Sequence, residues 1–474
     1  MTDSPPEAGE SSRSTPYPSG PGRWVPKGSL SSFLVTGTAW AFGARLLALF
    51  AGIASQAILA RLIPPESLGA YFLIQSFVII AANVGEFGLN RPIARMISTD
   101  LGQERPGAAL RALWSALEIS AMSAFVVVVF ITAGPGKWLS IHVFDSQTMA
   151  DSVALIGLWI IGRIVLDIGS AALQGLHRVG ISSFLSSALS PTLIAVAFGS
   201  LLLVNASVDF ETAMRIAAGA TISSALLCVL IVARPFSSVR ASGPSRRREL
   251  FASTLPVFGA GILQVASAQA DIWIVGAQLN PEEVAFYGAA KRLTTLVGFP
   301  VLVLAAVVPP MMADLYARDE RSRLEGLLRM ATTAVSIPML CGLSIFLLFG
   351  SEILSLAYGD AYAPAAPLLH ILCVERFVYT ILGTGSLLLV MTGHERAVLR
   401  ITLVSALLSF VALYVGGRVG GTVGVAVGFS VSSIGTTIWY FLEARRRTGI
   451  WVHVNPMATG QMVEFLKRMA RVKS

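Results

Sequence analysis

The chain has 474 residues, 54% hydrophobic and only 13% charged, with a mean hydropathy of +0.71 and a formal charge of +8. A soluble domain carries about 25% charged residues, and much of its surface must still face water, so it has nowhere to place this apolar excess. The figures exclude a soluble enzyme and predict an all-α integral membrane protein.

Residues 1–30 are rich in Pro, Ser and Gly and lack the charged start, apolar run and cleavage site of a signal peptide. They read as a disordered tail. A bilayer core takes about 20 apolar residues per helix. That ruler predicts twelve spans: 35–60, 68–90, 112–133, 153–176, 179–203, 213–233, 251–279, 284–309, 327–350, 364–390, 397–415 and 419–442. They fall into two six-helix lobes, 31–234 and 251–447, joined by a basic linker at 235–250 that contains Arg246, Arg247 and Arg248. The tail, 448–474, places Met462, Val463, Phe465, Leu466 and Met469 at helical spacing beside Lys467, Arg468 and Arg471, the pattern of an amphipathic helix on a membrane surface.

Charge placement fixes the expected orientation. With both termini in the cytoplasm, the inner segments hold 26 of the 35 Lys and Arg residues, and the outer loops hold only Arg61, Lys137, Arg215 and Arg418. That is the positive-inside asymmetry. The basic balance therefore reflects topology and anionic lipid headgroups, and nucleic acid is not an expected partner.

A faint repeat links the lobes. Pro65-Glu66 followed by Tyr71 matches Pro281-Glu282 followed by Tyr287, and Gly175 and Arg178 pair with Gly393 and Arg396. Six spans per lobe insert both halves the same way up, the parallel-repeat plan of transporters that rock around a central cavity.

The same stretches carry a family resemblance. Ala60-Arg61-Leu62, Glu66, Gly69, Tyr71 and Glu86-Phe87-Gly88-Leu89 resemble the opening of the polysaccharide-biosynthesis membrane proteins. So do Asp271 through Gly276, Tyr287 through Leu293, Tyr358-Gly359-Asp360-Ala361-Tyr362 and Gly393-His394-Glu395-Arg396. The likeness spans roughly 31–447. It is to the O-antigen-type flippases, relatives of multidrug exporters and of the lipid II flippase. The resemblance implies alternating access, a bacterial cytoplasmic membrane and an undecaprenyl-diphosphate-linked oligosaccharide as cargo. It also implies polysaccharide polymerase or assembly proteins as partners.

Intramembrane charge is costly and usually faces a cavity or a partner. Arg45, Arg163 and Arg376 lie near mid-depth, with Lys291 and Arg292 in the outer half of the eighth span. Guanidinium forks match phosphate oxygens, so these five are the candidate cargo ligands. The plainer alternative pairs Arg163 with Asp167, four residues on, and Asp271 with Lys291 as structural bridges. Glu375 adjoins Arg376 but, one residue away, points elsewhere on the helix. Asp271, Glu86 and Glu118 are the candidate sites for a coupling proton or sodium ion, with salt bridges to Arg91, Arg95 and Arg111 as the competing reading for the two glutamates.

Other chemistry is missing. Gly136-Lys137 runs on into Trp138, so there is no phosphate-binding loop for ATP. Five histidines and three cysteines (Cys228, Cys341 and Cys373) show no metal spacing, so no cofactor is expected. Asn205-Ala206-Ser207 fits a glycosylation pattern by coincidence, and Pro191, Pro256, Pro300 and Pro338 mark bends. Three classes compete: a lipid-linked glycan flippase, an ion-coupled multidrug or small-solute antiporter, and a membrane-embedded polysaccharide polymerase or ligase. The short outer loop at 134–152 leaves little room for the last.

Overall fold

The computed structural model describes residues 30–132 and 152–455. The N-terminal tail, most of the outer loop and the amphipathic stretch after Asn455 lie outside them.

The first lobe comprises α1 (Leu30–Leu62), α2 (Pro65–Glu86), α3 (Asn90–Gly102), α4 (Pro106–Thr132), α5 (Val153–Gly175), α6 (Val179–Leu203) and α7 (Phe210–Phe236). The second comprises α8 (Arg247–Gln278), α9 (Pro281–Ala317), α10 (Arg321–Leu348), α11 (Gly350–Tyr358), α12 (Ala366–Ile381), α13 (Gly385–Met391) and α14 (Glu395–Thr448). By length and apolar composition eight of the described helices can cross a membrane, nine with α12 and α13 taken as one bent span. The 54-residue α14 breaks at Gly420 and Gly421 into two, and α8 and α9, 32 and 37 residues long, complete a bundle of twelve. We call the end of the bundle that carries α3 and the 237–246 linker the basic side, and the opposite end the far side.

The spans follow from composition, since every backbone group in lipid must be bonded within the segment. Three departures from the expected spans have local causes. The second span ends at Glu86, because Phe87 and Gly88 take left-handed φ values of 55° and 66° and turn the chain. Residues 90–102 then form α3, which turns Ile93, Met96, Ile97 and Leu101 inward and leaves Arg91 and Arg95 exposed. The tenth span bends by 41° between α12 and α13, where Gly383 has φ 81°. The final hairpin turns at Gly421 (φ 58°, ψ −143°), past the expected 416–418. Its two arms touch backbone to backbone: a Cβ on Gly424 would lie 1.9 Å from the Gly416 carbonyl oxygen. Small residues permit that approach. In α6, a π-helical stretch at Phe184–Leu189 precedes Pro191, whose missing N–H disrupts the regular ladder.

The repeat is sharper in three dimensions than in sequence. Helices α1 and α8 end at Leu62 and Gln278, α2 and α9 begin at Pro65 and Pro281, and α6 and α14 begin at Val179 and Glu395, each pair 216 residues apart. The turn bonds obey the same register. Arg178 N–H donates to Leu173 and His394 N–H donates to Leu389, both at 2.8 Å. This corrects the expected pairing of Gly175 with Gly393. The counterpart of Gly393 (φ 77°) is His177 (φ 60°), two residues later.

Candidate functional site

The two lobes meet along α2, which lies against α8 and α9. At the far side, a Cβ on Gly69 would fall 1.8 Å from the Pro281 carbonyl oxygen, so only glycine allows this approach. Phe72 packs over Gly288 and Leu73 over Gly276. Midway, the Trp273 indole N–H donates to Ser76 Oγ at 2.8 Å, and Phe77 stacks on the same ring at 6.2 Å between centroids. At the basic side Phe87 packs on Phe258 and Phe251, with centroids 4.4 and 5.2 Å away.

A polar cluster interrupts this apolar seam. Arg292 on α9 reaches across it and donates to Gln75 Oε1 on α2. The same oxygen accepts from Gln56 Nε2 of α1 at 3.1 Å. Tyr71 and Tyr358 stand close enough to Arg292 to feel its charge. The hydroxyls of Tyr358 and Tyr362 are buried without a partner. Among the described residues, Arg292 has no carboxylate within 4 Å. A cation held only by neutral amides keeps its charge available to an anion.

Two other arginines border the same interlobe region. Arg45 is exposed on α1, one turn from Phe42, whose ring meets Phe299 of α9 at 5.7 Å. It has no ion pair or hydrogen bond among the described residues. Arg376 on α12 lays its stem across Gly298 of α9, 3.5 Å from where a Cβ would stand, and its Nε has no hydrogen-bond partner. Its nearest acid is Glu375 at 3.8 Å, so these neighbours do approach, contrary to the expectation that Glu375 points elsewhere. The Glu375 carboxylate itself accepts from Ser433 Oγ of α14.

The remaining charged candidates are bound within the protein. Asp271, fully buried, accepts from Lys291 Nζ at 2.7 Å, from the Tyr287 hydroxyl at 2.9 Å and from the Ile272 N–H at 2.9 Å. Lys291 also donates to the Ala268 carbonyl and lies 5.7 Å from the Phe429 ring. Arg163 pairs with Asp167 at 2.8 Å, and Glu86 sits within electrostatic reach of both. Glu86 forms no ion pair with Arg91, Arg95 or Arg111 among the described residues, which corrects the expected bridge, and it stands toward the Arg163–Asp167 pair of α5. It lines a cavity of about 250 Å³ with Asn83, Arg91 and Gln264. Glu118 accepts from Arg247 of the second lobe, not from Arg111, and Asp100 accepts from Arg246. Both bridges tie the start of α8 to the first lobe at the basic side, where Arg246 is pushed above its ordinary pKa by Glu249 and Asp100.

The sequence reading did not single out Gln56, Gln75 or the tyrosines. The repeat held one clue: Gln75 and Ser76 sit 216 residues before Lys291 and Arg292, so the cation and its holder occupy neighbouring register positions in the two lobes.

Comparison with known proteins agrees with this architecture. The chain is 18% identical to a multidrug resistance transporter of the MATE family in an inward-facing conformation, with a TM-score of 0.69 over 85% of this chain and 94% of that one. It is 12% identical to the lipid II flippase MurJ in an inward closed conformation, with a TM-score of 0.66 over 87% of each chain. Among curated proteins it is 23% identical, over 74% of its length and 71% of the relative's, to a probable low-salt glycan biosynthesis flippase, Agl15, of Haloferax volcanii. A MatE match covers residues 256–415, and the match to the polysaccharide biosynthesis protein family covers 34–316. With twelve spans in two parallel-repeated lobes and more than half its length inside that match, this multi-pass membrane chain belongs to the polysaccharide biosynthesis protein family.

Proposed function

We propose that the protein is a flippase that carries a polyprenyl-diphosphate-linked oligosaccharide across the bacterial cytoplasmic membrane by alternating access, with no chemical turnover. The observation that carries this reading is Arg292, a guanidinium at the lobe seam held by Gln75 and matched by no carboxylate among the described residues. Arg45 and Arg376 supply further donors beside it. A diphosphate crossing lipid needs such donors along its route, and bidentate guanidinium–phosphate contacts are short and strong. The likeness to a glycan biosynthesis flippase supports the cargo class.

In the cycle, cargo enters from the inner leaflet, its diphosphate takes up the free arginine donors, and the lobes at 31–234 and 251–447 rock to expose it outward. Both termini remain in the cytoplasm. Coupling to a proton or sodium gradient is assigned to the bound carboxylates. Asp271 is the foremost candidate, as a fully buried carboxylate that holds three donors of its own lobe, and Glu86 and Glu118 are the further candidates. Arg163 and Lys291, closed into ion pairs of 2.8 and 2.7 Å, serve the cargo less directly than Arg45 and Arg292, and Arg376, 3.8 Å from Glu375, stands between the two groups.

The test is glycan export in a strain deleted for the gene. Lipid-linked precursor building up on the cytoplasmic face, with surface glycan restored by the wild type but not by a well-inserted Arg45→Ala variant, is the expected outcome. Unchanged glycan with altered drug tolerance would move the assignment to an antiporter, whose fold the protein shares.

A further inference from the structure

The far side of the seam holds a second recess, of about 820 Å³, between the end of α1 and α11. Its walls come from both lobes: Arg61 from the first, and Ser351, Glu352, Ser355, Leu356 and Asp360 from the second. Leu356 is the one large apolar side chain among these. The recess is open to solvent and sets hydroxyls, carboxylates and a guanidinium beside the apolar surface of Leu356. That mixture suits a polyhydroxylated ligand, because pyranose hydroxyls need closely spaced donors and acceptors and pyranose C–H faces need apolar surface.

Local bonding leaves that capacity open. Arg61 donates to the Leu356 carbonyl in the last turn of α11, a favourable place for a cation, and one contact uses only part of its fork. Glu352 accepts from Ser351 at 2.8 Å, and neither Glu352 nor Asp360 forms an ion pair among the described residues. Two buried tyrosines lie next to the recess in sequence. Helix α11 forms its floor, and Tyr358, the last residue of α11, lies buried beside Arg292 with its hydroxyl unpartnered. Tyr362, just past Asp360, packs on Tyr358 at 5.6 Å between centroids and has an unpartnered hydroxyl as well. Tyr358 and Tyr362 thus lie between the residues that line the recess and the charge of Arg292.

We propose that this recess is a glycan subsite: it receives the sugars of the cargo on the far side while the diphosphate is still held by Arg292. The proposal rests on the flippase reading and adds where the headgroup binds and what recognises it.

A subsite for sugars beyond the first discriminates by glycan length, and this makes the proposal testable. The gene deletion is complemented with wild type, Ser355→Trp, which fills the recess, or Asp360→Asn, which keeps its shape and removes a charge. Each is measured in two backgrounds, one making the full lipid-linked repeat and one blocked after the first sugar. Expected is a loss of about tenfold or more in export of the full repeat by Ser355→Trp, a smaller loss by Asp360→Asn, and export of the single-sugar lipid within about twofold of wild type. Equal loss of both cargoes would mean that the substitutions hinder lobe movement, and no loss of either would mean that the recess is idle; each overturns the subsite. A deletion strain that exports both cargoes normally would instead overturn the flippase reading beneath it.

Discussion

The two repeats place opposite chemistry at the same register. On α2 the chain presents Gln75 and Ser76; 216 residues later, on α9, it presents Lys291 and Arg292. The neutral pair holds its neighbours across the seam, Gln75 accepting from Arg292 and Ser76 from Trp273. The cationic pair diverges. Successive residues on a helix point about 100° apart, so Lys291 turns into its own lobe and is cancelled by Asp271, while Arg292 crosses the seam and is not. The two lobes are thus alike in fold, and at this register position only the second carries an uncancelled charge.

The largest effect is expected from removing that charge. Hydrogen bonds to charged groups are worth about 1.5–3 kcal/mol, so Arg292→Gln should cut export by roughly 100-fold. Moving the cation to the other lobe, in the Gln75→Arg/Arg292→Gln double variant, should recover export to within about tenfold of wild type. A double variant as inactive as the single one would show that the position of the charge, and not its presence at the seam, decides transport.

Cancelling matters for folding rather than for cargo on the Lys291 side. Asp271→Ala leaves Lys291, with 23% of its side chain exposed, facing a buried apolar neighbourhood. Breaking a buried pair from one side costs about 3–5 kcal/mol, and a lower unfolding temperature in detergent measures it. Asp271→Ala/Lys291→Met should regain most of the loss. If Asp271→Asn unfolds normally but exports without dependence on a pH gradient, the carboxylate belongs to coupling and the contrast with Arg292 weakens.

The third way to probe the seam is steric. A Cβ at residue 69 meets the Pro281 carbonyl at 1.8 Å, so Gly69→Val must push α2 from α9 at the far side. Export should fall, and a cysteine placed by Ala285→Cys, buried in the wild type, should react faster with a membrane-impermeant maleimide added from outside. Unchanged labelling would mean that the seam relaxes elsewhere.

How much of this was legible follows from what a sequence can encode locally. Apolar runs of about 20 residues fix spans directly, so the expected spans overlap the observed helices, with ends that differ by up to eight residues, as at 309 against Ala317. The misses are backbone events inside runs that remain apolar. The break at Gly383 lies among small residues with no charge to mark it, and the turn at Gly421 falls three residues past Arg418, the charge that set the expected turn at 416–418. Helix α3 was taken for a loop because its apolar stripe is narrow and its outer face basic. The Arg163–Asp167 pair was visible at i,i+4 spacing, and Lys291–Asp271 as two charges at similar depth on adjacent spans. Gln56 and Gln75 were invisible for the converse reason: an uncharged amide in an apolar helix becomes notable only when a cation from another lobe lands on it.

The smallest effect is expected at Glu118, and it tests whether the bridges at the basic side act as a gate. Glu118 and Arg247 link the lobes, yet their side chains are 37% and 57% exposed. Exposed pairs are screened by salt and contribute little, so Glu118→Gln should export within about twofold of wild type. Asp100, 9% exposed and bonded to Arg246, belongs to the better-shielded bridge, and Asp100→Asn should lower export more. Measuring both variants in proteoliposomes at low and physiological salt separates the possibilities. If the bridges hold the lobes together, raising the salt should narrow the gap between wild type and Glu118→Gln while leaving the Asp100→Asn defect in place. If Glu118→Gln instead lost its response to an imposed proton or sodium gradient, Glu118 would be a coupling residue, and the active carboxylates would lie in the first lobe, opposite the lobe that holds Arg292.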